Sequence, residues 1–231
     1  MASSSDPYRL PEAHLAYLRG VDSPTLANAI ETFEVRDRTE GFIGGTVRSM
    51  FPDLGVMVGQ AVTVTVANDP GPVAGREGFW EMWEALEAAP HPAVLVIADA
   101  SGAPSRCAYF GEVMATFATR LGAVGLVTDG GVRDLAEVRA LGLHFFAPFP
   151  VVSHGNFHVA SVGEPVTLDG QVIRPGDILH GDANGVVIVP TEVLDGLPAA
   201  VEDILAKEAE TMGRIRAEGF RLADIRPSSG Y

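Results

Sequence analysis

Six consecutive residues, Asp129-Gly130-Gly131-Val132-Arg133-Asp134, carry the clearest chemical signal in this 231-residue chain. They follow an apolar run from Gly122 to Thr128 that reads as a buried strand, and they precede a helical pattern reaching Ala140. Sheets built from alternating strands and helices bind ligands at the carboxyl ends of their strands. Glycines there let a ligand approach the backbone closely. Arg133 offers a planar fork for a carboxylate. Asp134 offers a hard oxygen ligand for Mg²⁺ or Mn²⁺. In the first turn of a helix these neighbours point in different directions, so together they can hold a ligand's carboxylate and its metal. The same residues also fit a plain helix start, with Asp favoured by the dipole and Arg in a surface pair. Spacing alone does not separate the two readings.

A second segment tips the balance. Gly111-Glu112-Val113-Met114 opens the preceding helix, and the free N–H groups of a helix's first turn attract anions. Glu112 adds a carboxylate 21 positions before Arg133. Both helix starts follow neighbouring strands of one sheet, which sets them side by side. An anion nest, an arginine and two carboxylates for a divalent ion describe a site for a 2-oxo acid.

Other residues read less sharply. There is no phosphate-binding Gly-x-x-x-x-Gly-Lys-Ser/Thr, no dinucleotide Gly-x-Gly-x-x-Gly after a strand, and no Gly-x-Ser-x-Gly elbow. Cys107 has no local activating neighbour and reads as packing. His154 and His158 have metal-like spacing, but Gly155-Asn156 between them argues against a helix and so against paired ligation. His180, ahead of Gly181-Asp182, reads as a strand end leading into a surface loop, with a place in a cleft as the other option.

The elements that would position these groups follow from the pattern. Residues 11–33 read as helix, with Ser23-Pro24 as N-cap and first helical residue. Gln60 to Val66 alternates as a strand. Glu77 to Ala88 reads as helix, its Phe79, Trp80, Trp83 and Leu86 marking core or a subunit interface. Ala93 to Ala98, Gly122 to Thr128 and His144 to Ala147 read as buried strands, with a helix from Gly111 to Leu121 between the first two. That order predicts a small parallel sheet. Beyond Pro148 the texture turns to short β segments. Asp169-Gly170 is a two-residue hairpin signal, and Val186 to Val189 is a further strand. A helix follows from Thr191 to Glu218, broken near Gly196-Leu197-Pro198. The expected class is mixed α/β, an antiparallel layer beside a parallel one, with a loose arm over residues 1–10 and a single domain over 11–231.

Composition narrows the partners. Apolar residues make up 47% and charged residues 20%, a globular balance. The formal charge of −14 argues against nucleic acid, which needs a basic face. It says less about small anions, because one well-placed arginine in a cleft overrides the net field. A single cysteine excludes an internal disulfide and a cysteine zinc cluster, and points to the cytoplasm. Met1 to Pro7 has no signal-peptide pattern, and no apolar stretch is long enough for a membrane helix.

The motif residues resemble the metal-dependent 4-hydroxy-4-methyl-2-oxoglutarate / 4-carboxy-4-hydroxy-2-oxoadipate aldolases, a family that also holds the RraA-type regulators of ribonuclease E. The resemblance runs over roughly residues 20–220. It is most specific at Gly111 to Met114 and at Gly131 to Val138, with support from Asp99 to Gly102, Arg174 to Asp177, Gly181-Asp182 and Gly185 to Pro190. It implies a β/β/α three-layer sandwich of the swivelling-domain type, assembled as a homotrimer or hexamer with sites at subunit interfaces. It implies Asp134 as direct metal ligand and Arg133 as the holder of the pyruvyl group. Glu112 matches an acid that contacts metal-bound water, and the amides of Val113 and Met114 match those that bind the substrate carboxylate. An acid from a neighbouring subunit's C-terminal region would be Glu208 or Glu210. Two departures stand out: Val-Met follows Glu112 where the family more often has Leu-Leu, and Pro148 to Ala160 carries two histidines and little glycine.

The chemistry implied is lyase chemistry on a 4-hydroxy-2-oxo diacid, giving pyruvate and a second oxo acid, with oxaloacetate decarboxylation as a side activity. A water oriented by Glu112 would take the 4-hydroxyl proton. Lys207, the single lysine, sits in the terminal helix and is no Schiff-base candidate. The alternatives are a lyase or dehydratase for another 2-oxo acid and a non-catalytic regulator that binds a protein such as ribonuclease E. The acid at Asp134 favours an enzyme.

Overall fold

The computed structural model describes residues 8–72 and 75–225. Of the arm expected over 1–10, residues 1–7 lie outside that range. The remainder is tied down rather than loose: Leu10 N donates to Gln60 Oε1 at 2.8 Å, and Gln60 Nε2 donates to Tyr8 O at 2.8 Å.

The chain begins with helices α1 (Glu12–Leu18) and α2 (Ser23–Glu31), then strands β1 (Phe42–Ile43), β2 (Arg48–Ser49) and β3 (Met57–Asn68). Helix α3 (Glu77–Ala88) leads to β4 (Ala93–Asp99), β5 (Ala108–Phe110), α4 (Glu112–Arg120), β6 (Ala123–Thr128), β7 (Gly131–Val132), α5 (Leu135–Leu141) and β8 (His144–Ala147). Strands β9 (Phe157–Val162), β10 (Val166–Leu168), β11 (Gln171–Ile173), β12 (Ile178–Asp182) and β13 (Gly185–Val189) precede α6 (Leu197–Arg216).

Nine strands form one mixed sheet in the order β1-β13-β12-β3-β4-β6-β8-β2, with β9 also on β3. Strands β3, β4, β6 and β8 are parallel, as the apolar runs predict. The antiparallel strands join the same long β3. Strand β12 pairs along Met57 to Gln60 and β9 along Val64 to Asn68, both on the edge away from β4.

Three layers result. Val64, Leu95, Ile97, Leu126 and Phe145 point to one face, where they pack on Met82 and Leu86 of α3, Ala115 and Ala118 of α4, and Val138 of α5. On that same face, Val58, Ile178 and Val187 meet Leu18, Leu26 and Val201 of α1, α2 and α6. The opposite face, with Val94, Val96 and Phe146, is covered by Val166, Leu168 and Ile173 of the β10–β11 hairpin. A strand buried on both faces must be apolar throughout, which is why β4 reads as Ala-Val-Leu-Val-Ile-Ala. Asp169 and Gly170 both have positive φ, as a two-residue type I′ turn requires. No helix among the described residues is long and apolar enough to cross a membrane.

Three local readings need correction. The helix expected over 11–33 is two helices. Asp22, not Ser23, caps the second, its side chain accepting from Thr25 N at 3.0 Å. The helix expected from Thr191 begins as a 3₁₀ turn, and α6 proper starts at Leu197, close to the break the glycine and proline foretold. His180 is fully buried inside β12, not in a loop or a cleft. Its Nε2 faces the carbonyls of Leu18 and Val21 at 3.1 and 2.9 Å, and carbonyls only accept, so Nε2 carries the proton. Nδ1 then accepts from Ser23 Oγ at 3.1 Å, and Ser23 N donates to Asp182 Oδ2 at 2.8 Å. This Ser, His and Asp trio pins the α1–α2 corner to the sheet. Both ring nitrogens are engaged, so it has no free base.

Candidate functional site

Strands β5 and β7 pair with each other as a parallel two-stranded unit outside the main sheet, Ala108 opposite Gly131 and Phe110 opposite Val132. The helix starts therefore lie side by side, but through these short strands rather than through β4 and β6. Arg133 N donates to Phe110 O at 2.9 Å, which places Arg133 across from Gly111. Neither Arg133 nor Asp134 is in the first turn of a helix, as the spacing had suggested; α5 starts at Leu135. Asp134 stands at the N-cap position with φ 57° and ψ 45°, the left-handed region that an Asp side chain tolerates.

That conformation turns the Asp134 carboxylate back towards α4. Its Oδ2 accepts from Glu112 N at 2.9 Å and lies 3.4 Å from Arg133 Nε. Its Oδ1 has no protein partner among the described residues. The first intrahelical bond of α4 is Ala115 N to Gly111 O, so the amides of Val113 and Met114 are orphan donors at the helix start. A Cβ on Gly111 would sit 2.5 Å from Asp134 Oδ2 and 2.9 Å from Arg133 Cγ, so any larger residue must displace these two side chains.

A second carboxylate network braces this unit from below. Asp99, at the end of β4, accepts from Tyr109 OH, from Ser101 Oγ at 2.6 Å and from Gly102 N at 2.8 Å. Burial alone would raise its pKa, but these hydrogen bonds outweigh it and hold the carboxyl below its ordinary value. The Tyr109 hydroxyl is pushed up by burial and by the bond to Asp99. Asp129, at the end of β6, accepts from Asp99 N at 2.8 Å. Burial raises its carboxyl from 3.8 to about 6. The sign follows: a folded-state pKa above the unfolded one costs stability once the group is charged. The cost is absent below pH 3.8 and complete above about pH 6. Asp129→Asn keeps the acceptor for Asp99 N. It is expected to raise stability at pH 8 by about 1–3 kcal/mol and much less at pH 4, read from denaturant midpoints. An equal gain at both pH values would contradict this account.

Above the unit opens a cleft of about 310 Å³, lined among others by Gly111, Val113, Met114 and Arg133. The rest of its lining comes from Arg76 and Phe79 at the start of α3 and from residues 154–157. Residues 149–153 attach to the β5–β7 unit through main-chain bonds: Val132 N to Phe149 O, Val151 N to Val132 O, and Ala108 N to Ser153 O. His154 faces the cleft, while His158 lies in β9 opposite Ala67. Cys107 is buried, and burial raises its thiol. The aromatic stripe of α3 divides: Met82 and Leu86 are core, Trp83 stacks on Phe117 at 5.5 Å, Phe79 reaches the cleft, and Trp80 is 63% exposed.

Glu208 is on α6, where Asn28 Nδ2 of α2 donates to its Oε1 at 3.4 Å, away from the β5–β7 unit. No group of three or more His, Cys, Asp or Glu side chains suited to a metal occurs among the described residues. The donors beside the cleft are carboxylate oxygens, Asp134 with one oxygen open and an exposed Glu112. Such a set suits Mg²⁺ or Mn²⁺, which take one or two carboxylates and keep waters, better than zinc.

Spacing did not disclose Arg76, Phe79 and Phe157 as cleft residues, nor Asp99 and Tyr109 as a brace. Arg76 lies 57 positions before Arg133, in a Gly- and Pro-rich stretch with no periodic pattern.

A family model described as RraA-like, Aldolase/RraA, matches residues 23–188. A protein of Halalkalibacterium halodurans with the provisional name 4-hydroxy-4-methyl-2-oxoglutarate aldolase is 28% identical over 215 residues, 89% of this chain and 93% of its own length. One of the same provisional name from Cupriavidus necator is 33% identical over 152 residues, 62% of this chain and 85% of its own length. Proteins of Methanocaldococcus jannaschii and Pseudomonas syringae pv. tomato match locally, over 50% and 56% of their own lengths. The crystal structure of an uncharacterized protein from Pseudomonas syringae pv. tomato superposes with a TM-score of 0.73 at 22% identity, covering 99% of this chain and 100% of that one, and so shares its fold.

Proposed function

This chain belongs to the RraA-like family, Aldolase/RraA, and from that premise we propose that it is a divalent-metal-dependent carbon–carbon lyase. Its substrate is a 4-hydroxy-2-oxo diacid, cleaved to pyruvate and a second oxo acid, with oxaloacetate decarboxylation as a side activity. The observation that carries the reading is that Arg133 and the two orphan amides line one cleft, with the Asp134 carboxylate directly beside Arg133.

The substrate's first carboxylate is held by the amides of Val113 and Met114 and by the fork of Arg133. These are charge-assisted contacts that fix both position and plane. Asp134 would hold Mg²⁺ or Mn²⁺ directly, with Glu112 acting through a water and Glu208 from a neighbouring subunit, and the ion would supply Lewis acidity to the 2-oxo group. A homotrimer or hexamer is proposed for that reason, since Glu208 does not join Asp134 within one chain. In the cleavage the 4-hydroxyl loses its proton, its electron pair forms the new C4 carbonyl, and the C3–C4 bond breaks. The pair left on C3 is the enolate of pyruvate, and a proton from water at C3 completes the product. Glu112 guides the 4-hydroxyl proton out through a water, and the fixed charge of Arg133 stabilises the enolate. Oxaloacetate gives the same enolate by loss of CO₂, with no hydroxyl proton to remove.

Pyruvate release from oxaloacetate and from a 4-hydroxy-2-oxo diacid is expected with Mg²⁺ and is expected to stop with EDTA. Turnover that survives EDTA, or none on any 2-oxo acid offered, would remove the lyase reading.

A further inference from the structure

The lining of the cleft holds a cation that the cleavage chemistry leaves unused. We infer that Arg76 reads the second carboxylate of a 2-oxo diacid, an inference that rests on the lyase reading for the first carboxylate but not for its test. In a chain of net charge −14, the carboxylates beside this cleft, Asp134 and Glu112, adjoin Arg133 and Val113, and no Asp or Glu is among the residues that line it directly. The lining includes three basic side chains, Arg76, Arg133 and His154. Arg133 is engaged with the Asp134 carboxylate at 3.4 Å. His154 has Nδ1 at 2.5 Å from Gly155 O, so that nitrogen donates to the main chain. Arg76 has no carboxylate within ion-pair distance among the described residues.

Position adds to charge. Arg133 leaves the β7–α5 junction, whereas Arg76 leaves the start of α3, so the two side chains reach the cleft from different elements. The Arg76 guanidinium carbon lies 5.8 Å from the Phe79 ring centroid, over its face. Stacking of that kind restrains the group while leaving the N–H edge free for a bidentate carboxylate. Phe79 meets Phe157 edge to face at 5.4 Å, which makes an apolar surface beside the cation. A ligand that suits both arginines has a 2-oxo carboxylate at one end, a carboxylate at the other, and an uncharged middle.

The test uses two ligands with the same five-carbon skeleton, 2-oxoglutarate and 2-oxopentanoate, which differ only in a terminal carboxylate against a methyl. Neither has a 4-hydroxyl, so binding is measured by calorimetry whether or not the protein cleaves anything. With the full chain and Mg²⁺, 2-oxoglutarate is expected to bind about tenfold or more tightly than 2-oxopentanoate, the range of one charged hydrogen-bonded contact. Arg76→Gln should erase that preference by weakening 2-oxoglutarate alone, with 2-oxopentanoate and the thermal midpoint unchanged. Arg76→Lys should retain part of it, which guards against a folding defect in the first variant. The assignment is overturned if the wild type shows no preference, if neither compound binds, or if Arg76→Gln keeps the preference. Loss of both ligands in parallel in a folded variant would overturn it too, as a structural role alone. Failure of the lyase reading shows separately, as absent pyruvate release with these affinities intact.

Discussion

Asp134→Asn is expected to lower metal-dependent pyruvate release by at least about a thousandfold, because a metal and its counter-charge contribute several kcal/mol to the transition state. The substitution is chosen for the backbone. Asp134 sits at φ 57°, and asparagine is among the few residues that accept this region. Its amide oxygen can still accept from Glu112 N, the contact that Asp134 Oδ2 makes at 2.9 Å. What disappears is the negative charge and the open second oxygen, now an amide nitrogen that cannot ligate a cation. Stability should therefore stay close to wild type. Asp134→Ala, by contrast, should lose activity and also about 1 kcal/mol of stability, from a Cβ in left-handed backbone without the local hydrogen bond. Steady-state kinetics and thermal unfolding of the two variants separate the effects. A fully active Asp134→Asn would remove the metal-ligand role.

Gly111→Ala should cost about a hundredfold in kcat/KM, the scale of an ångström-sized displacement of catalytic groups. The backbone gives no reason for the glycine: φ is −151° and ψ −168°, extended values open to any residue. The reason is the crowd around the missing Cβ, with Asp134 Oδ2 at 2.5 Å, Arg133 Cγ at 2.9 Å and Arg133 Nε at 3.0 Å. Both side chains are about one-third exposed and can swing away. The methyl group thus spares the fold and spoils the geometry. Near-wild-type unfolding with lost activity is the expected pair of results. A large drop in stability with kcat/KM retained would show that the glycine serves packing instead.

What could be read from the chain and what could not follow from how far each signal reaches. Strands β4, β6 and β8 are buried on both faces, so each spells a run of apolar residues that stands out locally. Helix α3 carries its apolar side at helical spacing over three turns. The αα corner was misplaced because Asp22 and Ser23 are both good caps, and only the fold decides which one bonds Thr25 N. Strands β5 and β7 have three and two residues, too short for any period to register, yet their pairing brings Gly111 to Arg133. The left-handed turn at Asp134 follows from the entry into α5, not from residue type. His180 looked like a loop residue because its partners, Leu18, Val21 and Ser23, are more than 150 positions away. The Gly111 and Arg133 segments drew notice by composition. Arg76 did not, since nothing in linear spacing signals a wall contributed from another helix.

The attachment of residues 149–153 has a consequence for how such a protein can diverge. That stretch is sewn to the β5–β7 unit by amide-to-carbonyl bonds, which are indifferent to the side chains they carry. Its neighbour Gly155 is the exception, held at φ 58° against Cys107. The Arg133–Asp134 end of the cleft and the lining from residues 154–157 are thus carried on separate pieces of chain. Substitutions around His154 can accumulate without disturbing Asp134, so the shape and polarity of the cleft can change while the left-handed turn and its carboxylate stay in place.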